Sequence, residues 1–364
     1  MGVTQKDIAD ALKISVVTVN RAMNGAGYVS RKLRERILNH AKAVHYVPHK
    51  ASQVLVRNKV RRIALFSSAL PHYFWNDIRT GVSIAAEQIQ GFHYEVAYHT
   101  ITERKSGLYV RRLQEEIEAG VQAVGVVNQW IFDMKAIFST IERAGLPYIT
   151  LNVDAPESKR LCYIGPDYRA GGRLAAEYVG KALVFRKSPR VLVVTSQDKE
   201  PADASAPDIN RLRYEGFREV MRDRFPSVRL DTGTLTMDIR SRDAPEQIQE
   251  VLRSHQRKAD AVYFIPAFNA QFIDAFQRVG PRSALVVLND LDASAGQFLS
   301  GNALAAVIYQ NPVLQGYYAV KVLENLLESG HPPEVRQIHL THSVLLNENK
   351  DLNRNHYLFT GMLE

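Results

Sequence analysis

The residues best placed to do chemistry near the start of the chain are Ser15-Val16-Val17-Thr18, followed by Asn20, Arg21 and Asn24 within one helical stretch. An arginine fork matches the two acceptors on the major-groove edge of guanine, and an exposed valine can meet a thymine methyl. Ser15, Thr18 and Asn24 carry short polar groups suited to phosphate oxygens, which fix register on a duplex. Thr4, which caps the preceding helix, is a further DNA-contact candidate. A second set recurs farther on: Pro71-His-Tyr-Phe-Trp-Asn-Asp, Asn128-Gln-Trp, Asn152-Val-Asp, Phe268-Asn, Asn289-Asp and Gln310-Asn. Aromatic faces pack on the C–H faces of sugars, while amides and carboxylates pair with hydroxyls. Each cluster alone could be loop or cap chemistry; recurrence after successive strands argues for one small-molecule site.

Catalytic signatures do not compete with this reading. No Gly-x-Gly-x-x-Gly follows a strand, and no phosphate loop, Gly-x-Ser-x-Gly elbow or His-Glu-x-x-His occurs. The eleven histidines are dispersed, and the single cysteine, Cys162, lies in an apolar run. The expectation is a protein that is not an enzyme and uses no cofactor or metal. One cysteine in 364 residues also fits a reducing compartment.

The elements around these residues follow from pattern. Thr4 and Asp7 form a capping pair that opens a helix over Gln5 to Leu12. Ser15 caps a second over Val16 to Met23, closed by Asn24 and Gly25, and Ser30 caps a third from Arg31 to about His45. Two short helices joined by a tight turn, with a third closing the core, is the helix-turn-helix plan. Charge agrees. Residues 1–62 carry thirteen Lys or Arg against three Asp or Glu, a net +10; since the whole chain is +8, the other 302 residues hold −2. A basic head on a near-neutral body points to a polyanion partner.

From Arg62 onward, apolar strand-length runs alternate with amphipathic helices, a pattern that predicts an α/β body with parallel sheets. Eight or more strands over some 300 residues exceed one small sheet, so two similar lobes are expected, with ligand at the carboxyl ends of their strands. The polar first ten residues, with Asp7 and Asp10, lack a secretory layout, and no run reaches the ~18 apolar residues of a membrane span. A cytoplasmic location is expected.

The run Ile14-Ser-Val-Val-Thr-Val-Asn-Arg-Ala-Met-Asn-Gly, then Gly27-Tyr28-Val-Ser, Arg34-Glu-Arg-Ile and Tyr46-Val-Pro, closely resembles the head of the lactose repressor (LacI/GalR) family of transcriptional regulators. The resemblance implies that Val16 and Val17 choose the operator and that Arg21 reads a base; Asn20 replaces the family's usual serine. His49 to Lys59 looks like the family's hinge helix, with Leu55 as minor-groove wedge and Gln53 beside it. A helix of about nine residues is too short for stability alone, so Pro48 to Val56 is expected to order on DNA.

The body is similar to ribose-type periplasmic sugar-binding proteins, a resemblance that implies roles for Phe74 and Trp75 as a stacking pair. It likewise makes Arg211, Asp290 and Gln310 hydroxyl partners. Asn152 and Val153 stand where ribose binders carry an acid and an arginine, which points away from ribose itself; Phe268-Asn269 replaces the usual Asn-Asp. Asn128 completes the expected ligand set.

The expected organisation is a three-helix head over 1–47, a hinge and linker over 48–60, and a two-lobed periplasmic-binding-protein-like body over 61–364. Lobe 1 would take about 61–164 and 292–330, and lobe 2 about 165–291 and 331–364. The expected function is sequence-specific regulation of carbohydrate genes, as a homodimer or tetramer on a palindromic DNA operator. A monosaccharide or polyol would be the effector. Alternatives are a purine- or nucleoside-responsive regulator and a transport-type sugar-binding protein.

Overall fold

The computed structural model describes residues 3–24, 29–44, 46, 60–102, 106–129, 131–197, 207–236, 243–255, 259–301 and 305–351. The chain divides into two compact units, Met1–Val60 and Arg61–Glu364.

The first unit holds α1 (Gln5–Leu12), α2 (Val16–Asn24) and α3 (Arg31–Ala43). The Asp7 backbone N–H donates to Thr4 Oγ1 at 3.2 Å and the Thr4 N–H to the Asp7 carboxylate at 2.7 Å, a reciprocal capping box. Lys13, at φ 54°, ends α1, and Ser15 Oγ accepts from the Thr18 N–H at 3.1 Å to start α2. Ser30 departs from expectation: its side chain makes no cap bond, and only its carbonyl accepts, from the Arg34 N–H at 2.9 Å. Ile8, Ala9, Leu12, Val19, Ala22, Ile37 and Ala41 form the buried core.

The second unit contains two six-stranded sheets. Strands β1 (Arg61–Ser68), β2 (Tyr94–Ile101), β3 (Ala123–Val126), β4 (Tyr148–Leu151), β5 (Tyr163–Pro166) and β11 (Gln337–Leu340) pair in the order β11-β5-β4-β3-β1-β2, all parallel. Strands β6 (Arg190–Gln197), β7 (Arg229–Thr236), β8 (Ala261–Phe264), β9 (Leu285–Asn289), β10 (Ala305–Tyr309) and β12 (Ser343–Leu345) pair as β12-β10-β9-β8-β6-β7, parallel except for β12.

Alternation along the strands feeds a core on each face. In β1, Ile63 and Leu65 pack under α4 (His72–Gln90) and α12 (Pro312–Ser329), while Ala64 and Phe66 pack under α5 (Ser106–Glu118) and α6 (Met134–Arg143). In β6, Val191 and Val193 face α7 (Tyr168–Ala182) and α8 (Ile209–Arg224). Leu192 and Val194 face α9 (Ala244–His255), α10 (Asn269–Val279) and α11 (Ala293–Ser300).

The chain crosses between lobes after Pro166, after Tyr309 and after Leu340. This corrects the expected partition. β10 bonds to β9, with Ala305 opposite Val286, so α11 and β10 lie in lobe 2, and β11 joins β5 in lobe 1. Alternation of elements cannot say which sheet a strand joins, because pairing is a long-range choice.

Helices α7 and α8 nearly touch. A Cβ on Gly172 would lie 1.9 Å from the Arg213 carbonyl oxygen, and one on Gly216 would lie 2.1 Å from that of Arg169. Only hydrogen fits at either point, and this contact fixes where the Arg213 backbone sits.

Candidate functional site

On the head, burial of Val19 and Ala22 turns the opposite face of α2 outward. Val16 is 42% and Val17 57% exposed, and Arg21 is exposed on the same helix. Thr18 lies a turn from Ser15, their hydroxyls 2.8 Å apart. Thr4 is occupied in the α1 cap through both its backbone and its hydroxyl. Tyr28, Gln53, Leu55, the expected hinge helix and the side chain of Asn24 lie outside the described residues.

In the body, the carboxyl ends of the two sheets border a cavity of about 230 Å³. Phe74, Trp75, Asn128, Asn152, Phe268, Asp290 and Gln310 all line it. Phe74 and Trp75 meet edge to face at 5.2 Å, and the indole N–H is spent on the Leu70 carbonyl at 2.8 Å. Trp75 therefore offers the cavity apolar surface. Phe268 comes from the loop that opens α10, in the other lobe.

Asn152 and Asp290 follow β4 and β9 with φ of 62° and 63°, and Asn311 follows Gln310 with φ 54°. Asn and Asp tolerate this left-handed region better than most residues. Asn152 and Asp290, on two of these turns, line the cavity. Gln310 Nε2 donates to Asp290 Oδ1 at 2.8 Å, and Asn152 Nδ2 donates to Gln315 Oε1 at 3.0 Å and Gln310 Oε1 at 3.4 Å. Asn152 belongs to lobe 1 and Asp290 to lobe 2, so this chain of amides bridges the lobes near a crossover.

Arg211 does not join them. Its side chain is 67% exposed, 3.6 Å from Glu215 on the outer face of α8. Arg213 takes the cavity position: its guanidinium lies over the Tyr168 ring at 5.1 Å and 3.6 Å from Asp290 Oδ2, with side-chain exposures of 4% and 9% for the pair. The signal for this was helical phase. Arg213 shares a stripe with the buried Gly216, Phe217 and Val220, whereas Arg211 shares one with Glu215. Tyr168, Asn210 and Gln315 were also missed; Asn210 lines the cavity and donates to Ser196 Oγ at 2.9 Å.

Burial pushes the Asp290 carboxyl above its ordinary value, and Arg213 and Gln310 offset only part of that rise. Burial also pushes the Tyr168 phenol up. Behind Arg213, His342 on the last crossover is pushed down to about 4 by burial, with the guanidinium charge acting in the same direction. Asn128 Nδ2 donates to the Asp154 carbonyl at 2.7 Å, which leaves its buried Oδ1 without a protein partner.

Residues 63–331 match the family model described as periplasmic binding protein domain, and residues 4–49 match that described as bacterial regulatory proteins, lacI family. Similar curated proteins include a ribose operon repressor of Halalkalibacterium halodurans, 24% identical over 60% of this chain and 59% of the relative. The transcriptional regulator CelR of Thermobifida fusca is 28% identical over 56% of each. The chain thus spans less than two thirds of the length of these relatives. Among solved structures, the arabinose binding protein AraP of Geobacillus stearothermophilus superposes with a TM-score of 0.67 at 19% identity, covering 80% of this chain and 99% of that one. At that identity the likeness concerns fold alone. With a matching head, a matching two-lobed body and relatives named as regulators, the chain belongs to the lacI family of bacterial regulatory proteins.

Proposed function

We propose that this protein is a sequence-specific transcriptional regulator, a repressor of carbohydrate catabolism or uptake genes, controlled by a neutral hydroxylated small molecule bound between its lobes. The observation that carries the reading is one chain holding both an outward-facing Val16, Val17 and Arg21 on α2 and a cavity floored by Asn152, Asp290 and Gln310. Val16 and Val17 read thymine methyls, Arg21 reads guanine, and Ser15 and Thr18 hold phosphates. Thr4, Asn24 and Tyr28 support that contact, and Leu55 with Gln53 enters the minor groove. The protein works in the cytoplasm as a homodimer on a palindromic operator; among the described residues, no helix is long and apolar enough to cross a membrane.

In the body, Arg213 and Asp290 take ligand hydroxyls, while Phe74, Trp75 and Phe268 cover its apolar faces. The names of the relatives, a ribose operon repressor among them, support a carbohydrate circuit. Selection of duplexes from a random DNA library by the full chain tests the reading. A two-fold symmetric site should emerge and be lost with Arg21→Ala; enrichment of no sequence would contradict it.

A further inference from the structure

Helices α4 and α12 both begin at the cavity, and both lead to the first residue of the body. α4 carries Phe74 and Trp75 of the cavity lining in its first turn. α12 follows Gln310, another lining residue, and its Gln315 accepts from Asn152 Nδ2 at 3.0 Å. At the far ends, Glu328 in the last turn of α12 holds Arg61 Nη1 at 2.9 Å, and the turn after α4 brings the His93 carbonyl 2.8 Å from the Arg61 N–H. Tyr94 stands between them. Its hydroxyl accepts from Arg61 Nη1 at 2.6 Å and donates to Glu328 Oε1 at 2.9 Å, and the guanidinium lies 5.5 Å from its ring centre. Arg61 follows Val60, where the unit that carries the head ends.

Between those ends the two helices meet backbone to backbone. A Cβ on Gly81 would lie 1.9 Å from the Val313 carbonyl oxygen, and one on Gly316 would lie 2.0 Å from that of Ile78. Ala85, Ile89, Ala319, Val320 and Leu323 share the buried core of this face. Interiors packed this closely transmit strain. His93 adds a constraint, because its φ of 60° is a backbone that few non-glycine residues adopt, and such a conformation persists where its surroundings over-determine it.

We infer that Tyr94 and Glu328 are positioning residues for operator binding. The α4–α12 pair carries a displacement of the cavity lining to Arg61, and the Arg61–Tyr94–Glu328 cluster sets where the linker to the head leaves the body. This rests on the regulatory reading of the cavity and assigns its route through lobe 1. Neither Tyr94 nor Glu328 lines the cavity, and the Arg61 and Glu328 side chains are partly exposed, so loss of one contact leaves the fold intact.

Double-mutant cycles on operator affinity test this with the full chain and the duplex that selection yields. One cycle pairs Gln315→Met with Glu328→Gln, about 20 Å apart along α12; the other pairs Trp75→Phe with Tyr94→Phe. Distant sites without shared partners multiply within about twofold. Glu328→Gln and Tyr94→Phe should each weaken operator binding about threefold or more, as residues on a coupling route do. Both should keep the base preference of the wild type and a thermal transition within a few degrees of it. At least one double variant should depart from the product of its single effects by more than about twofold, whereas Arg211→Ala with Glu328→Gln should multiply. Closure of both cycles, or operator binding by both junction variants that matches the wild type, would overturn the inference. So would a changed base preference, which marks direct contact with DNA. Selection that enriches no duplex for the wild type would overturn the regulatory reading and this inference with it.

Discussion

The Arg213 guanidinium lies 3.6 Å from the Asp290 carboxylate, and Gln310 donates to the same carboxylate from the opposite side at 2.8 Å. The contact joins helix α8 to the turn after β9, where Asp290 also donates its backbone N–H to the Ile308 carbonyl at 3.0 Å. A donor fork and an acceptor thus stand side by side in the cavity lining on one lobe.

Removing one member of such a buried pair strands the other. Arg213→Ala should lose the ligand response and cost about 3 kcal/mol of stability. Arg211→Ala, at an exposed position, should stay within about 0.5 kcal/mol and keep the response. Urea denaturation with ligand titration of both variants checks this, and equal effects would contradict the placement.

Burial of His342 should make the folded protein acid-sensitive. Its folded value near 4 is below the ordinary 6.5, so its stabilisation is present above pH 6.5 and fades as pH falls towards 4, where folding must exclude a proton the unfolded chain binds. The full effect is about 3 kcal/mol. Asp290 acts in the opposite sense: with its folded value raised, its contribution is present at low pH and lost as pH rises. Stability measured from pH 7 to 4 should therefore fall more steeply in the wild type than in His342→Gln.

At the α7–α8 contact, Gly172→Ala must push the Arg213 backbone away, and a loss of about 1 to 3 kcal/mol or more is expected. Gly91→Ala, where a Cβ would meet nothing within 4 Å, should be nearly neutral by the same thermal measurement.

On the head, exchanging exposed Val16 and Val17 for alanine should leave stability within about 0.5 kcal/mol while relaxing base preference at the positions they face. Val19→Ala, at a fully buried site, should instead cost about 2 kcal/mol and keep base preference in the protein that remains folded.

Local pattern revealed much of this design. The caps of Thr4 and Ser15, the alternating body and most residues at strand ends follow from spacing and chain direction. What it hid was long-range or a matter of phase. Arg211 and Arg213 are both polar neighbours in the same segment, and only their registration with Phe217 and Val220 separates outside from inside. β5 ends in Gly165-Pro166, and β7 carries Arg229, Asp231 and Gly233, so neither reads as an apolar run. The allotment of β10 to lobe 2 and β11 to lobe 1 rests on backbone pairing between segments far apart in sequence.

The most direct measurement is operator affinity by fluorescence anisotropy at fixed salt, on the selected duplex, with and without the tightest-binding sugar or polyol found by calorimetric titration. Coupling between head and cavity should change that affinity by about 5- to 150-fold in the wild type and leave it unchanged in Arg213→Ala. A ligand that saturates the cavity of the wild type without altering operator affinity would contradict regulation through this site.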